Sequence, residues 1–324
     1  MITRREFSAL LIGGLCAVAW PALAQPFPSK PIRIIVPAAP GGGADILARA
    51  LTSDLGTVWG QTIVVENKSG GAGGIGTRAV ISAVGDGHTL LLGSTTSIMS
   101  LVKDTNKPYD VRRELASVTL ISAAPYLFVA HPSVPQKNAA ELIAYAKQNP
   151  GKLVYGSSGG GATSHLSGAL FAQMAGIDML HVPYRGIGAV MIDLLAGRVQ
   201  LLVSPAPPVI PHIRAGKLKV IGTTGDARSG LFPEYPTIAE SGLPGYSSIG
   251  SFGLFAPTST PPAVVAKISA DVGKVLRSSE VKERFAGQGD EPAPSTPEEY
   301  RALVNATVAK WIDVGRKAGI KFGE

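Results

Sequence analysis

Two glycine-rich stretches have the residue types and spacing to hold an anion. The first is Pro37-Ala38-Ala39-Pro40-Gly41-Gly42-Gly43-Ala44-Asp45, and the second is Gly156-Ser157-Ser158-Gly159-Gly160-Gly161. Each follows a run suited to a buried strand, Pro31-Ile32-Arg33-Ile34-Ile35-Val36 in one case and Leu153-Val154-Tyr155 in the other, and each precedes a helical pattern. Where a strand passes through a glycine turn into a helix, the first backbone N–H groups lack partners and the helix presents its positive end. Such a place holds an anion without needing a charged side chain. Two of them facing across a cleft would grip a small carboxylate. Micromolar affinity requires about 8 kcal/mol. Four to six charge-assisted hydrogen bonds at roughly 1.5–3 kcal/mol each, with a helix end adding up to about 2 kcal/mol, reach that figure after association costs.

Several side chains near these turns carry two readings. Asp45 suits a helix start for purely structural reasons and also suits a ligand role. Tyr184 and Arg185 follow the strand-like Met179-Leu180-His181-Val182-Pro183 and are expected on the same cleft, where Arg185 fits either a second carboxylate or open solvent. Ser157, Ser158 and His165 invite a Ser–His nucleophile. No G-x-S-x-G elbow and no orienting acid accompany them, so His165 is better read as a helix-face residue bonded within its domain.

Other chemistries fit less well. Gly71-Ala72-Gly73-Gly74-Ile75-Gly76 matches G-x-G-x-x-G, yet Gly93-Ser94-Thr95 stand where a ribose-binding acid should end the next strand. Tight turn chemistry is the better account, and no cofactor is expected. The five histidines form no i,i+4 pair, which argues against a metal site. The one cysteine, Cys16, falls in a leader segment, so disulfides and thiol catalysis are not expected.

The elements that must position the turns alternate strand and helix. Thr62-Ile63-Val64-Val65-Glu66 reads as a second strand and Thr89-Leu90-Leu91-Leu92-Gly93 as a third, ending in a polar loop Ser94-Thr95-Thr96-Ser97. This order indicates a parallel, doubly wound sheet whose ligands sit at the carboxyl ends of the strands. Val199 to Val203 is a further strand followed by a proline-rich loop, Ser204-Pro205-Ala206-Pro207-Pro208. The stretch from Leu120 to Ala130 reads as a strand crossing to a second domain, and Ser251 to Pro257 as the strand returning. A pair of domains joined by two crossings can hinge and close on a ligand.

Composition agrees with a large buried core, at 45% hydrophobic and 16% charged residues. Thr3-Arg4-Arg5-Glu6-Phe7, an apolar run and Ala22-Leu23-Ala24 resemble a twin-arginine export signal, with a run too short to span a bilayer. Removing it takes the formal charge from +7 to +6, two arginines and one glutamate fewer, and no run of Lys and Arg exceeds a pair. That excludes a nucleic-acid stripe and leaves a mild bias toward anionic ligands.

Pro28 to Pro37 with Pro40-Gly41-Gly42-Gly43-Ala44-Asp45 resembles the opening of the Bug family, the periplasmic receptors of tripartite tricarboxylate transporters. So do Val65-Glu66-Asn67-Lys68, Ser164-His165-Leu166, His181-Val182-Pro183-Tyr184-Arg185-Gly186 and Glu240-Ser241-Gly242-Leu243-Pro244-Gly245-Tyr246. The resemblance, which runs from about Phe27 to Gly319, implies an α/β two-domain periplasmic binding protein of the Venus flytrap, type II-like kind. Each domain is then a mostly parallel sheet flanked by helices, and the protein is not an enzyme. Residues 1–24 are expected to be the signal peptide, 25–124 with 251–324 the first domain, and 125–250 the second. The implied site is Ala38, Gly41, Gly42, Gly43 and Asp45 from the first turn. Ser157, Ser158, Gly161, Thr163 and Ser164 come from the second, with Ser94, Thr95, Tyr184, Arg185 and Ser204 from neighbouring loops.

Departures from the family pattern bear on the ligand. Ala38 stands where an aromatic is usual, which leaves a roomier pocket and favours an apolar-bodied carboxylate. Ala162 replaces a hydroxyl residue, Ser204-Pro205-Ala206 replaces a more polar loop, and Ser97-Ile98-Met99 lacks a usual His. The expectation is a monomeric periplasmic receptor, cleaved after Ala24, that delivers a small mono- or dicarboxylate to membrane permease subunits. A module feeding a signalling partner and a Rossmann-like enzyme are the alternatives.

Overall fold

The computed structural model describes residues 27–100 and 110–320. The expected signal peptide and its cleavage point lie outside the described residues. Strand β1 (Ile32–Val36) leads into α1 (Gly43–Trp59). Strand β2 (Ile63–Asn67) leads through a 3-10 turn at Gly71–Gly73 into α2 (Gly74–Ile81), and β3 (Thr89–Ser94) runs straight into α3 (Thr95–Ser100). After α4 (Val111–Glu114) comes the long β4 (Leu115–Pro125). The chain then crosses at Tyr126 into β5 (Leu127–Ala130), α5 (Ala139–Gln148), β6 (Leu153–Ser157), α6 (Thr163–Ala175) and β7 (Met179–Pro183). Next are α7 (Ile187–Leu195), β8 (Leu201–Ser204), α8 (Ala206–Arg214) and β9 (Lys219–Thr223). It returns along β10 (Ile249–Pro257) and ends in α9 (Pro262–Leu276), α10 (Ser279–Gly287) and α11 (Pro297–Lys317).

The strands form two sheets, ordered β2-β1-β3-β10-β4 and β7-β6-β8-β5-β9. In the first, β1 pairs parallel with β2 and β3, while β10 lies antiparallel between β3 and β4. The second repeats the plan, with β6 parallel to β7 and β8, and β5 antiparallel between β8 and β9. Each sheet is therefore mostly parallel, as expected, with one strand, β10 or β5, running against the other four. The physical reason lies in the crossings. A strand arriving from the other lobe enters its sheet at the shared rim, where the parallel strands end, and so must run against them.

Each sheet is covered on both faces. On β1, Ile34 packs with Leu47, Leu51 and Leu55 of α1, while its neighbour Ile35 packs on the opposite side with Val308 and Trp311 of α11. This is the alternation a buried parallel strand imposes. Trp59 is buried in α1 while Val58 turns outward, and in α11 Leu303 is exposed beside buried Val304. The Thr296–Glu299 capping box is formed, with Glu299 N–H donating to Thr296 Oγ1 and Thr296 N–H donating to the Glu299 carboxylate.

Two stretches expected as loops are helical. Ser94-Thr95-Thr96-Ser97 enters α3 because the Ser97 hydroxyl donates to Ser94 O at 2.8 Å and the Ser94 hydroxyl accepts from Ser97 N–H, a cap built from the run itself. The prolines after Ser204 open α8, since the first turn of a helix needs no N–H from its residues.

Candidate functional site

The two glycine turns have the same construction. Gly42 N–H donates to Ala39 O at 3.3 Å around Pro40 and Gly41, and Ala162 N–H donates to Gly159 O at 3.2 Å around Gly160 and Gly161. Gly41 and Gly161 occupy the third position with φ of 77° and 72°, where an L side chain is strained. A helix begins immediately after each turn, and neither α1 nor α6 has a capping side chain of its own. Each turn is then braced from one helical turn ahead. Gly41 N–H donates to Asp45 Oδ2 at 2.9 Å, and Gly161 N–H donates to His165 Nδ1 at 3.0 Å.

The braces are themselves held. Asp45 also accepts from Arg49 at 2.9 Å and from the Asn67 amide at 3.0 Å, and that amide donates to Ala38 O at 3.2 Å. The carboxylate is thus neutralised locally and turned away from the cleft. His165 stacks on His181 with ring centres 3.6 Å apart and planes within 5°. Burial holds the His181 ring down to about 4, and burial together with His181 does the same for His165. Both rings are therefore neutral near pH 7, as acceptance of the Gly161 N–H requires.

Both turns open on one cleft of about 700 Å³ between the sheets. Of the residues expected there, Ala38, Gly42, Gly43, Ser94, Ser158, Gly161, Ser164, Tyr184 and Arg185 line it. The others do not. Gly41 and Asp45 shape the first turn from behind. Thr95 is buried against Ser251, bonding its hydroxyl at 3.0 Å. Ser157 is buried with its hydroxyl on Gly159 O and His181 Nε2. Ser204 is buried and donates to Pro205 O. Thr163 is buried beneath the opposite lobe: its N–H donates to Thr96 Oγ1 at 3.0 Å and its hydroxyl accepts from the same oxygen.

Sequence reasoning passed over Arg78, Thr96, Tyr126, Ile187, Pro205 and Phe252, all of which line the cleft. Thr96 had a readable signal, since it adjoins Ser94 and Thr95 in the same polar run. Phe252 and Pro205 had none, because they meet the first turn only through the approach of other strands. A Cβ added at Gly43 would lie 3.0 Å from the Phe252 ring and 3.4 Å from the Pro205 ring. The G-x-G-x-x-G stretch also finds its explanation in packing. Gly76 backs onto Pro37 and Lys68 O at under 3 Å from where a Cβ would stand, and Gly73 with φ 98° backs onto Ser97 and Pro37. These contacts draw the second βα turn against the first.

The loop bearing Tyr184 and Arg185 is fastened to the second turn by Tyr184 N–H to Ser157 O at 2.9 Å and Gly186 N–H to Ser158 O at 3.1 Å. Gly186 faces Ala39 across the cleft. The Tyr184 hydroxyl donates to Asp193 at 2.7 Å, and Arg198 pairs with the other oxygen of that carboxylate. Among the described residues no Asp or Glu lines the cleft, no His/Cys/Asp/Glu cluster could hold a metal ion, and no helix is long and apolar enough to cross a membrane.

This arrangement has relatives. The family described as tripartite tricarboxylate transporter family receptor matches residues 47–320. The chain belongs to this receptor family. It is 34% identical to the protein BugT of Bordetella pertussis, covering 94% of each chain. Among solved structures it is similar to R. palustris Rpa4515 with adipate, at 33% identity and a TM-score of 0.87, covering 91% of this chain and 99% of that one. MatC from Rhodopseudomonas palustris with bound malate follows at 30% identity and a TM-score of 0.81, covering 89% and 99%. The receptors of this family are solute-binding proteins rather than enzymes, and the two-domain α/β fold is that of periplasmic binding proteins.

Proposed function

We propose that this chain is an exported receptor that holds a small carboxylate between its two glycine turns and delivers it to the membrane subunits of a tripartite tricarboxylate-type transporter. The observation that carries the reading is the matched pair of braced turns, each opening into one cleft a helix with no cap side chain of its own. Backbone N–H groups at two helix starts favour an anion without a fixed counter-ion. Two similar proteins are described with adipate and with bound malate, which supports a carboxylate as the class of ligand. The twin-arginine-like leader and its Ala22-Leu23-Ala24 end support export to the periplasm.

The reading is tested on the mature chain from Gln25 onward by thermal shift and calorimetry against a panel of mono- and dicarboxylates. At least one is expected to raise Tm in a concentration-dependent way, as a ligand binding only the folded state must. Gly161→Val, which forces a β-branched side chain into a φ of 72°, is expected to abolish that shift. A panel in which no carboxylate stabilises the protein overturns the reading.

A further inference from the structure

We propose that Tyr126 is a positioning residue for ligand binding: its ring, seated on Gly250 between the cleft and the crossing strands, sets the angle between the lobes. The inference rests on the cleft as the ligand site and adds to it the place where the molecule bends. Both crossing chains are fastened to the second lobe by one buried residue, Thr224. Tyr126 N–H donates to Thr224 Oγ1 at 2.7 Å, and Thr224 N–H donates to Tyr126 O at 2.9 Å. On the returning chain, the Thr224 hydroxyl donates to Ser248 O at 2.5 Å and Ser248 N–H donates to Thr224 O at 2.7 Å. In the first lobe, β10 pairs with β3 from Phe252 onward, and Ser251 N–H donates to Thr95 Oγ1 at 3.1 Å. Strand β4 is tied there by Ala293 N–H, which donates to Ile121 O at 2.9 Å. Between these anchorages lies a two-stranded ribbon in which Ala124 pairs with Gly250 and Pro125 with Ile249. Such a ribbon twists at less cost than a strand inside a sheet, so a change of lobe angle falls there.

Tyr126 stands where that ribbon meets the cleft. It is buried in the core of the second lobe, packed with Phe128 and Tyr155, yet it also lines the cleft. A Cβ added at Gly250 would overlap its ring, so the ring lies directly on the main chain of β10, a strand of the first lobe's sheet. Position 250 must be glycine for this contact to exist. Close packing blocks any bend of the ribbon toward the ring unless the ring moves into the cleft. A ligand seated in the cleft holds the ring where it is. Occupancy and lobe angle are thereby coupled through one side chain, and a ligand favours the angle at which ring and ligand fit together.

The test uses the mature chain from Gln25, whose cysteine-free sequence accepts spin labels at Val84→Cys and Ile192→Cys, one exposed site on each lobe. The distance between the labels is read by electron double resonance without ligand and with adipate as the probe, and adipate affinity by calorimetry. Tyr126→Leu keeps apolar volume in the core and removes the outer half of the ring. It is expected to broaden the unliganded distance distribution about twofold. With the competent angle populated about a tenth as often, adipate affinity falls about tenfold. Tyr126→Phe, which keeps the ring, is expected to recover both. Gly250→Ala is expected to shift the mean distance, and adding Tyr126→Leu to abolish that shift, because the methyl group then enters vacated space. A residue that only fills the core lowers Tm and leaves the distances alone. An unchanged distribution in Tyr126→Leu therefore overturns the proposal, even where affinity falls. A Gly250→Ala shift that persists in the double variant overturns it as well, and if Gly250→Ala does not fold, a double variant that does not fold counts the same way. The two readings fail separately: distances that respond to Tyr126 while no acid of the panel above binds the wild type sink the carboxylate reading and leave the hinge.

Discussion

The chemistry of the site is carried by groups that touch the turns from behind. Asp45 accepts from Gly41 N–H, Arg49 and the Asn67 amide, and that amide also orients the Ala38 peptide. Asp45→Ala removes the shared acceptor and leaves a main-chain N–H and a side-chain amide without it. Loss of a buried partner costs about 1–3 kcal/mol, so the variant is expected to unfold at lower urea concentration with an unchanged m-value. Carboxylate affinity should fall with it, because the first turn loses its brace. Gly41→Ala makes a useful contrast. Nothing lies within 4 Å of the added Cβ, so only the positive φ is penalised, and the expected loss is about 1 kcal/mol. A loss several times larger would show that the Gly41 peptide needs more than its backbone freedom.

The start of α6 is completed from outside its own lobe. Helix α6 has no cap of its own, and its first N–H is satisfied by Thr96 Oγ1 of α3 across the cleft. One side chain therefore both caps a helix and joins the lobes. Thr96→Val keeps the shape and removes the hydroxyl. It is expected to weaken carboxylate binding about two- to tenfold, the range of one net hydrogen bond, chiefly through a faster off-rate in stopped-flow measurements. Gly43 works in the opposite sense. It lets the start of α1 approach Phe252 and Pro205, and Pro205 belongs to the other lobe. Gly43→Val is expected to hold the lobes apart and reduce affinity more than Thr96→Val, with global stability lowered by about 1–3 kcal/mol as in other overpacked sites.

Across the whole molecule, pH couples to the fold through groups far from their ordinary range. His165 and His181, held down to about 4, stay neutral in the folded chain while the unfolded chain protonates them near 6.5. Their stabilisation is present above pH 6.5 and lost as pH falls toward 4. Asp290 acts oppositely. It is buried beside Gly289, which packs on Ala206, Ile210 and Phe232 of one lobe, while Pro292 pairs with Ser122 of the other. Burial pushes its carboxyl up to about 6, so its folded-state preference for the proton is present near pH 4 and lost as pH rises through 6. Two histidines against one carboxyl give a net fall in Tm between pH 6.5 and 4. Asp290→Asn, which keeps an acceptor for Glu291 N–H, is expected to raise Tm at pH 7.5 but barely at pH 4.5. A rise of equal size at both values would contradict a buried ionised carboxylate.

Features set by short-range physics were legible in the chain alone. Glycine at the third position of a turn, a β-branched run before it and an apolar helical period after it are each determined within about twenty residues. They therefore named both strand–turn–helix units and the glycine turns that line the cleft. Arg185 was legible for the same reason, as a residue on the loop that follows β7. Tertiary structure decided everything that depends on which surfaces meet. Thr95, Ser157 and Ser204 end strands or begin helices at the rim, and whether such a hydroxyl faces ligand or core turns on pleat and on the strand alongside. Thr96 faces the cleft because Thr95 is taken by Ser251 of β10, a partner far along the chain. Phe252 and Pro205 reach the first turn only because β10 and α8 pack there. The reversed direction of β5 and β10 follows from the crossing between lobes. Local spacing specifies a turn and the helix start behind it, but only the packing of remote segments determines what stands opposite them.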